Sequence, residues 1–139
     1  MVLLTIVFVS CSGKASQGND GDRQRINKEC DMVMQSLAAG KSKDGIRRLK
    51  AISVLGPDNL DTLGMTIESQ LSELMPAYGS ITGFKFIKEY TVKDIIARRN
   101  YILMFERYYL RFSFTVYKTP GGWMVTNFDY NDSLIEVLF

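Results

Sequence analysis

Residues 101–130, YILMFERYYLRFSFTVYKTPGGWMVTNFDY, constrain this chain more than any other stretch. Leu110, Phe112, Phe114 and Val116 fall on one face of an extended chain; Tyr109, Arg111, Ser113, Thr115 and Tyr117 fall on the other. Such period-two alternation of aromatic and β-branched residues marks a strand that buries one face. Thr119-Pro120-Gly121-Gly122 then reverses the chain, since proline presets φ and glycine accepts positive φ. Residues 123–130 return as the partner strand. Two further strands are read at 84–92 and 95–105. The second is apolar on both faces from Tyr101 to Phe105, as a central strand is.

The first half has a helical period. Asp22 is placed to cap a helix over 22–39, whose stripe Ile26, Cys30, Val33 and Leu37 ends at Gly40. Ser42 is placed to cap a second helix with Ile46, Leu49 and Ile52. Asp58 is placed to cap a third, carrying Leu60, Leu63, Ile67, Leu71 and Leu74 and closed by Pro76 and Gly79. Glu68, Gln70, Ser72 and Glu73 face outward, and 79–83 read as a linker. One-sided stripes mean that each helix covers something. Helices followed by strands give an α+β domain, with three N-terminal helices packed on an antiparallel sheet of about four strands.

A chain of 139 residues, 46% apolar, supports one domain with a real core. The net charge of +2 is spread among mixed acids and bases, which argues against a nucleic-acid surface. Arg98-Arg99 and Arg47-Arg48-Lys50 read as solvated faces. Histidine is absent, which removes the usual general base, the commonest metal ligand and any Ser–His or Cys–His nucleophile. No phosphate-cradling glycine motif occurs, and no metal or cofactor is expected.

Residues 2–9, VLLTIVFV, are continuously apolar but far short of the roughly 20 needed to span a bilayer as a helix. They fit the centre of a secretory signal. Phe8-Val9-Ser10-Cys11 resembles a bacterial lipoprotein signal, which implies that residues 1–10 are removed and that Cys11 is lipidated. Phe8 stands where leucine is usual, and no Lys or Arg precedes the apolar run. Residues 11–21 (with SGKASQGNDG) are small and polar and read as a flexible tether, leaving 22–139 as the folded domain. Acylation of Cys11 would leave Cys30 without a disulfide partner, as a small buried hydrophobe.

The helices-first order, the glycine before a long strand, and the run RFSFTVYK, tight turn, GWMVTNF resemble the nuclear transport factor 2-like superfamily, also called cystatin-like α+β cones. Within it, 110–128 look closest to small secreted bacterial lipoproteins. The resemblance implies a strongly curved sheet wrapped on the helices with a pocket at the wide end of a cone. It implies no chemistry, because this fold hosts enzymes, adaptors and binding modules.

The leading expectation is a non-catalytic, lipid-anchored envelope module that binds a small apolar ligand in a pocket lined by Phe84, Phe86, Phe112 and Phe114. An envelope protein or a second copy is the other partner class, docking on Tyr109, Arg111 and Tyr117. The alternative is a histidine-free isomerase or dehydratase, as some members of the superfamily are, with a cavity carboxylate as base and a tyrosine as donor. Glu89, Glu106 and Asp129 are the carboxylates at hand, and Tyr101 and Tyr130 the donors.

Overall fold

The computed structural model describes residues 17–138, with residues 17–20 and 136 described by their backbone alone. The expected signal segment 1–10, Cys11 and the first part of the expected tether lie outside the described residues. Three helices, α1 (Gln17–Ala38), α2 (Ser42–Ile52) and α3 (Pro57–Tyr78), precede four strands, β1 (Ile81–Val92), β2 (Ile96–Phe105), β3 (Tyr109–Thr119) and β4 (Gly122–Asn131); a short α4 (Ile135–Leu138) follows. The strands form a curved, open antiparallel sheet in the order β1-β2-β3-β4, and the helices pack on it: an α+β fold.

The apolar stripes make the core. Ile26, Cys30, Val33, Met34 and Leu37 of α1 meet Tyr101, Leu103, Phe112, Phe114 and Val116 of the central strands, all without measurable exposure. From α2 come Ile46, Leu49 and Ile52, and from α3 Leu60, Ile67 and Leu71. Removing side chains of this size from water stabilises the fold by about 1.5–3 kcal/mol each.

The helix ends differ from the expected caps. The chain is already helical from Gln17, so residues 17–21 belong to α1 and not to a tether. Asp22 is therefore not a cap; its carboxylate accepts the Trp123 backbone N–H at 2.7 Å, across the whole fold. Ser42 is the first residue of α2 rather than its cap. Gly56 takes the cap position of α3, with Pro57 at the first helical position, where its missing N–H costs nothing, and Asp58 inside the first turn. Gly40 ends α1 as read: at φ +74 it lets Lys41 N–H reach Ser36 O at 2.8 Å and its own N–H reach Leu37 O at 3.1 Å. Helix α3 runs through Pro76 to Tyr78, and the supposed linker 79–83 is largely the start of β1.

Hairpin β3–β4 pairs Thr119 with Gly122, whose φ of +124 meets the expectation of a positive-φ glycine in this turn. A parallel bridge from Ser53 to Val125 covers part of the β4 edge. The β1 edge is guarded differently, with Lys85 and Lys88 and a register irregularity between Phe86 and Lys88.

Candidate functional site

Two polar clusters and one cleft are the chemically notable places. The first cluster lies between α1 and the sheet. Arg99 points to the core side of β2 and is only 7% exposed. A buried guanidinium must be paired on nearly every N–H. Its Nε donates to the Tyr101 hydroxyl at 3.0 Å, Nη1 to Glu89 at 3.1 Å and Nη2 to Asp31 at 3.3 Å. Tyr101 Oη donates to Asp31 at 2.5 Å, and Arg23 also pairs with Glu89. Phe86 lies over the Arg99 guanidinium, 4.3 Å from ring centroid to Cζ. Burial works against the charge on Arg99, but Tyr101, Glu89 and Asp31 outweigh it and raise its pKa. Burial and the Asp31 hydrogen bond hold the Tyr101 phenol well above its ordinary range, so it stays a neutral donor. Burial also pushes the Cys30 thiol up to about 12, and a protonated, enclosed thiol is inert.

Two of the residues read as catalytic candidates, Glu89 and Tyr101, thus meet here, joined by Arg99. Sequence reasoning missed Asp31 and misread Arg99 as solvated. A signal for the helix side did exist: Arg23, Asn27 and Asp31 follow one another at a spacing of four, a polar row beside the Ile26–Cys30 stripe. Chemically the cluster is two acids neutralised by two bases. Its tyrosine is fully buried, and one oxygen of each carboxylate, Asp31 Oδ1 and Glu89 Oε1, is taken by guanidinium and phenol donors. A general base needs a lone pair facing a bound substrate, and neither Asp31 nor Glu89 lines the cleft between α3 and the sheet.

The second cluster lies on the sheet face turned away from the helices. Arg111, read as a docking residue, is 2% exposed there. It donates to Ser133 O at 3.1 Å, Asn100 Oδ1 at 3.4 Å, Asp129 Oδ1 at 3.2 Å and the Ser113 hydroxyl. Arg98 takes the other Asp129 oxygen at 3.0 Å. Asp129 is thus clamped between two guanidiniums. Arg111 anchors the segment after β4 rather than a partner; of its expected companions, Tyr117 is exposed and Tyr109 half-buried.

The phenylalanine pocket is corrected by packing. Phe112 and Phe114 have no exposure and contact Tyr130, Phe128 and Tyr101 at centroid distances of 4.9–5.8 Å. They fill the interior. Phe84 packs against the same core, and Phe86 is nearly half exposed over Arg99. Glu106 lies in the β2–β3 turn against Gly79, where any side chain would collide with it: a Cβ on Gly79 would sit 2.1 Å from Glu106 Oε2.

An opening is found elsewhere, where the last turns of α3 stand off the sheet. A cleft of about 420 Å³ is lined by Gln70, Glu73, Leu74 and Tyr78 of α3 and by Tyr108, Leu110, Tyr130, Asn131 and Asp132 from the sheet side. Its size falls among ligand pockets, which run to about 300–1,000 Å³. Tyr78 stacks on Tyr108 at 4.3 Å, Tyr108 on Tyr109 at 5.0 Å, and Tyr130 on Phe112 at 5.2 Å. Tyr108 donates to Asp132 at 2.8 Å, which pushes its phenol up to about 12; Tyr130 donates to Gln70. Tyr130 is the one expected donor that lines an opening. The other lining residues were legible only as an outward helix face and a turn.

Among the described residues no group of three or more Cys, Asp or Glu side chains is placed to hold a metal ion, and no helix is long and apolar enough to cross a membrane. No protein-family model, no curated protein and no solved structure matches the chain.

Proposed function

We propose that this chain is a non-catalytic binding module, held at a bacterial envelope membrane by a lipid on Cys11, that takes a small, partly apolar ligand in the cleft between α3 and the β3–β4 side of the sheet. The observation that carries the reading is the cleft itself: three tyrosines and two leucines around about 420 Å³. The absence of histidine and the pairing of Glu89, Asp31 and Asp129 with arginines support a binder over an isomerase. The resemblance to nuclear transport factor 2-like lipoproteins supports the binding module, and the lipoprotein-like run Phe8-Val9-Ser10-Cys11 supports an envelope location.

The test is an NMR titration of the folded protein with indole, an uncharged aromatic probe. Shifts confined to Leu74, Tyr78, Leu110 and Tyr130 are expected. Shifts centred elsewhere, or none at millimolar probe, would remove the cleft from this reading. A carboxylate titrating above about pH 6, far over the ordinary value near 4, with an opening around it, would make the isomerase the better account.

A further inference from the structure

We infer that the cleft is selective for a small organic cation, an alkylated ammonium group of a few carbons; this rests on the cleft being the binding site. Charge is the first argument. The lining contains Glu73 and Asp132 and neither lysine nor arginine, in a chain whose net charge is +2. An anionic ligand would meet two carboxylates with no counter-charge, and a neutral one would gain nothing from them.

The tyrosines are the second argument. Tyr78 and Tyr130 each give one ring face to a stack, with Tyr108 and Phe112 respectively, and among the described residues neither has a ring against its other face. Both rings line the cleft. A tyrosine face carries negative electrostatic potential and attracts a cation within about 6 Å of its centroid, and aromatic residues with a carboxylate are the usual receptor for alkylated ammonium. Tyr108 serves differently. It is sandwiched between Tyr78 and Tyr109, so it positions Tyr78 and, through its hydroxyl, Asp132.

Size and exposure favour the alkylated ion over a bare one. A metal ion would call for several converging oxygens, whereas here Leu74 and Leu110 take part of the wall. Methyl or ethyl groups on nitrogen meet those leucines while the charge, spread over the alkyl groups and weakly hydrated, meets the ring faces. The ligand is a free small molecule, since the cleft's volume is that of a molecule of ordinary metabolite size.

The experiment compares choline with 3,3-dimethylbutan-1-ol, its uncharged isostere, by NMR titration of the intact protein. Choline is expected to shift the Tyr78, Tyr108 and Tyr130 resonances in a saturable way, and the alcohol to bind at least about fivefold more weakly. Glu73→Gln, on the exposed face of α3, and Asp132→Asn are each expected to weaken choline by about two- to fivefold, and by more than they weaken indole or the alcohol. Phosphatidylcholine vesicles that compete with choline would move the source from a free molecule to a lipid headgroup and overturn that part of the assignment. Equal binding of choline and the alcohol, or choline binding indifferent to both carboxylate variants, overturns the cation. If indole binds and choline does not, only the cation falls; if neither binds, the cleft falls with it.

Discussion

Gly64 sits where α3 crosses α2, and replacing it by alanine sets two effects against each other. Alanine is the better helix former by about 1 kcal/mol. The new Cβ, however, would lie 2.7 Å from Ile46 Cγ1 and 3.5 Å from Ile46 Cβ and Cδ1. Cγ1 is not the free end of a flexible chain. Ile46 is 5% exposed, and a β-branched side chain in a helix has one strongly preferred χ1, so it has nowhere to rotate. Forcing one carbon into such a contact costs about 1–3 kcal/mol. The clash wins, and Gly64→Ala should destabilise by about 1 kcal/mol net, or roughly 4 °C in Tm for a chain of this size. Ile46→Ala supplies the control. Alone it costs about 2–5 kcal/mol, but it removes the clashing Cγ1, so in that background Gly64→Ala should stabilise by about 1 kcal/mol. The coupling between the two sites is then about 2 kcal/mol, readable from urea midpoints at constant slope. Gly64→Ala that raises the midpoint of the otherwise wild-type protein would refute the close contact. Because α3 is one wall of the cleft, the same variant should also change indole binding.

Three further outcomes are expected. Gly122→Val should destabilise by about 1–3 kcal/mol in thermal melts: valine is strained at φ +124, and its Cβ would lie 2.8 Å from Asp22 Oδ2, displacing the carboxylate from Trp123 N–H. Valine with no change in Tm would contradict this backbone. Stability should fall as pH rises above about 8, because Cys30 and Tyr101 are held protonated in the fold, while their unfolded counterparts ionise near about 8.5 and 10. The folded state then binds more protons, so each unit of pH favours unfolding; urea midpoints at pH 7, 9 and 10.5 check the sign, and Tyr101→Phe should remove the tyrosine share. Finally, Cys11→Ala should leave the protein out of the membrane fraction or unprocessed, since two or more acyl chains at about 0.8 kcal/mol per buried CH₂ hold such a protein in place. Intact-mass measurement of an unmodified Cys11 in the native host would remove the anchor.

Much of this fold was legible along the chain because it rests on local periods. Spacings of three and four picked out Ile26, Cys30, Val33 and Leu37, and alternation picked out Phe112, Phe114 and Val116; both sets are core because each period puts one face of an element on one side. The hairpin was legible because Pro120 and the glycines have few other uses. What a period does not say is whether its polar face is covered. Alternation assigned Arg111 correctly to the face opposite Phe112, but only the fold brings Ser133, Asp129, Ser113 and Asn100 around it and so buries it. Likewise Arg99 looked like half of a solvated pair until Asp31, 68 positions away, and Glu89 closed on it. The starts of α2 and α3 were misplaced because Lys41 and Gly56 stand at the cap positions without any side-chain cap hydrogen bond, which leaves no capping signature in the sequence. The cleft was the least legible of all. Its walls come from α3 and from the turn and strand ends some 30–60 positions later, and an opening is set by how far two packed elements stand apart, a distance no residue pattern encodes.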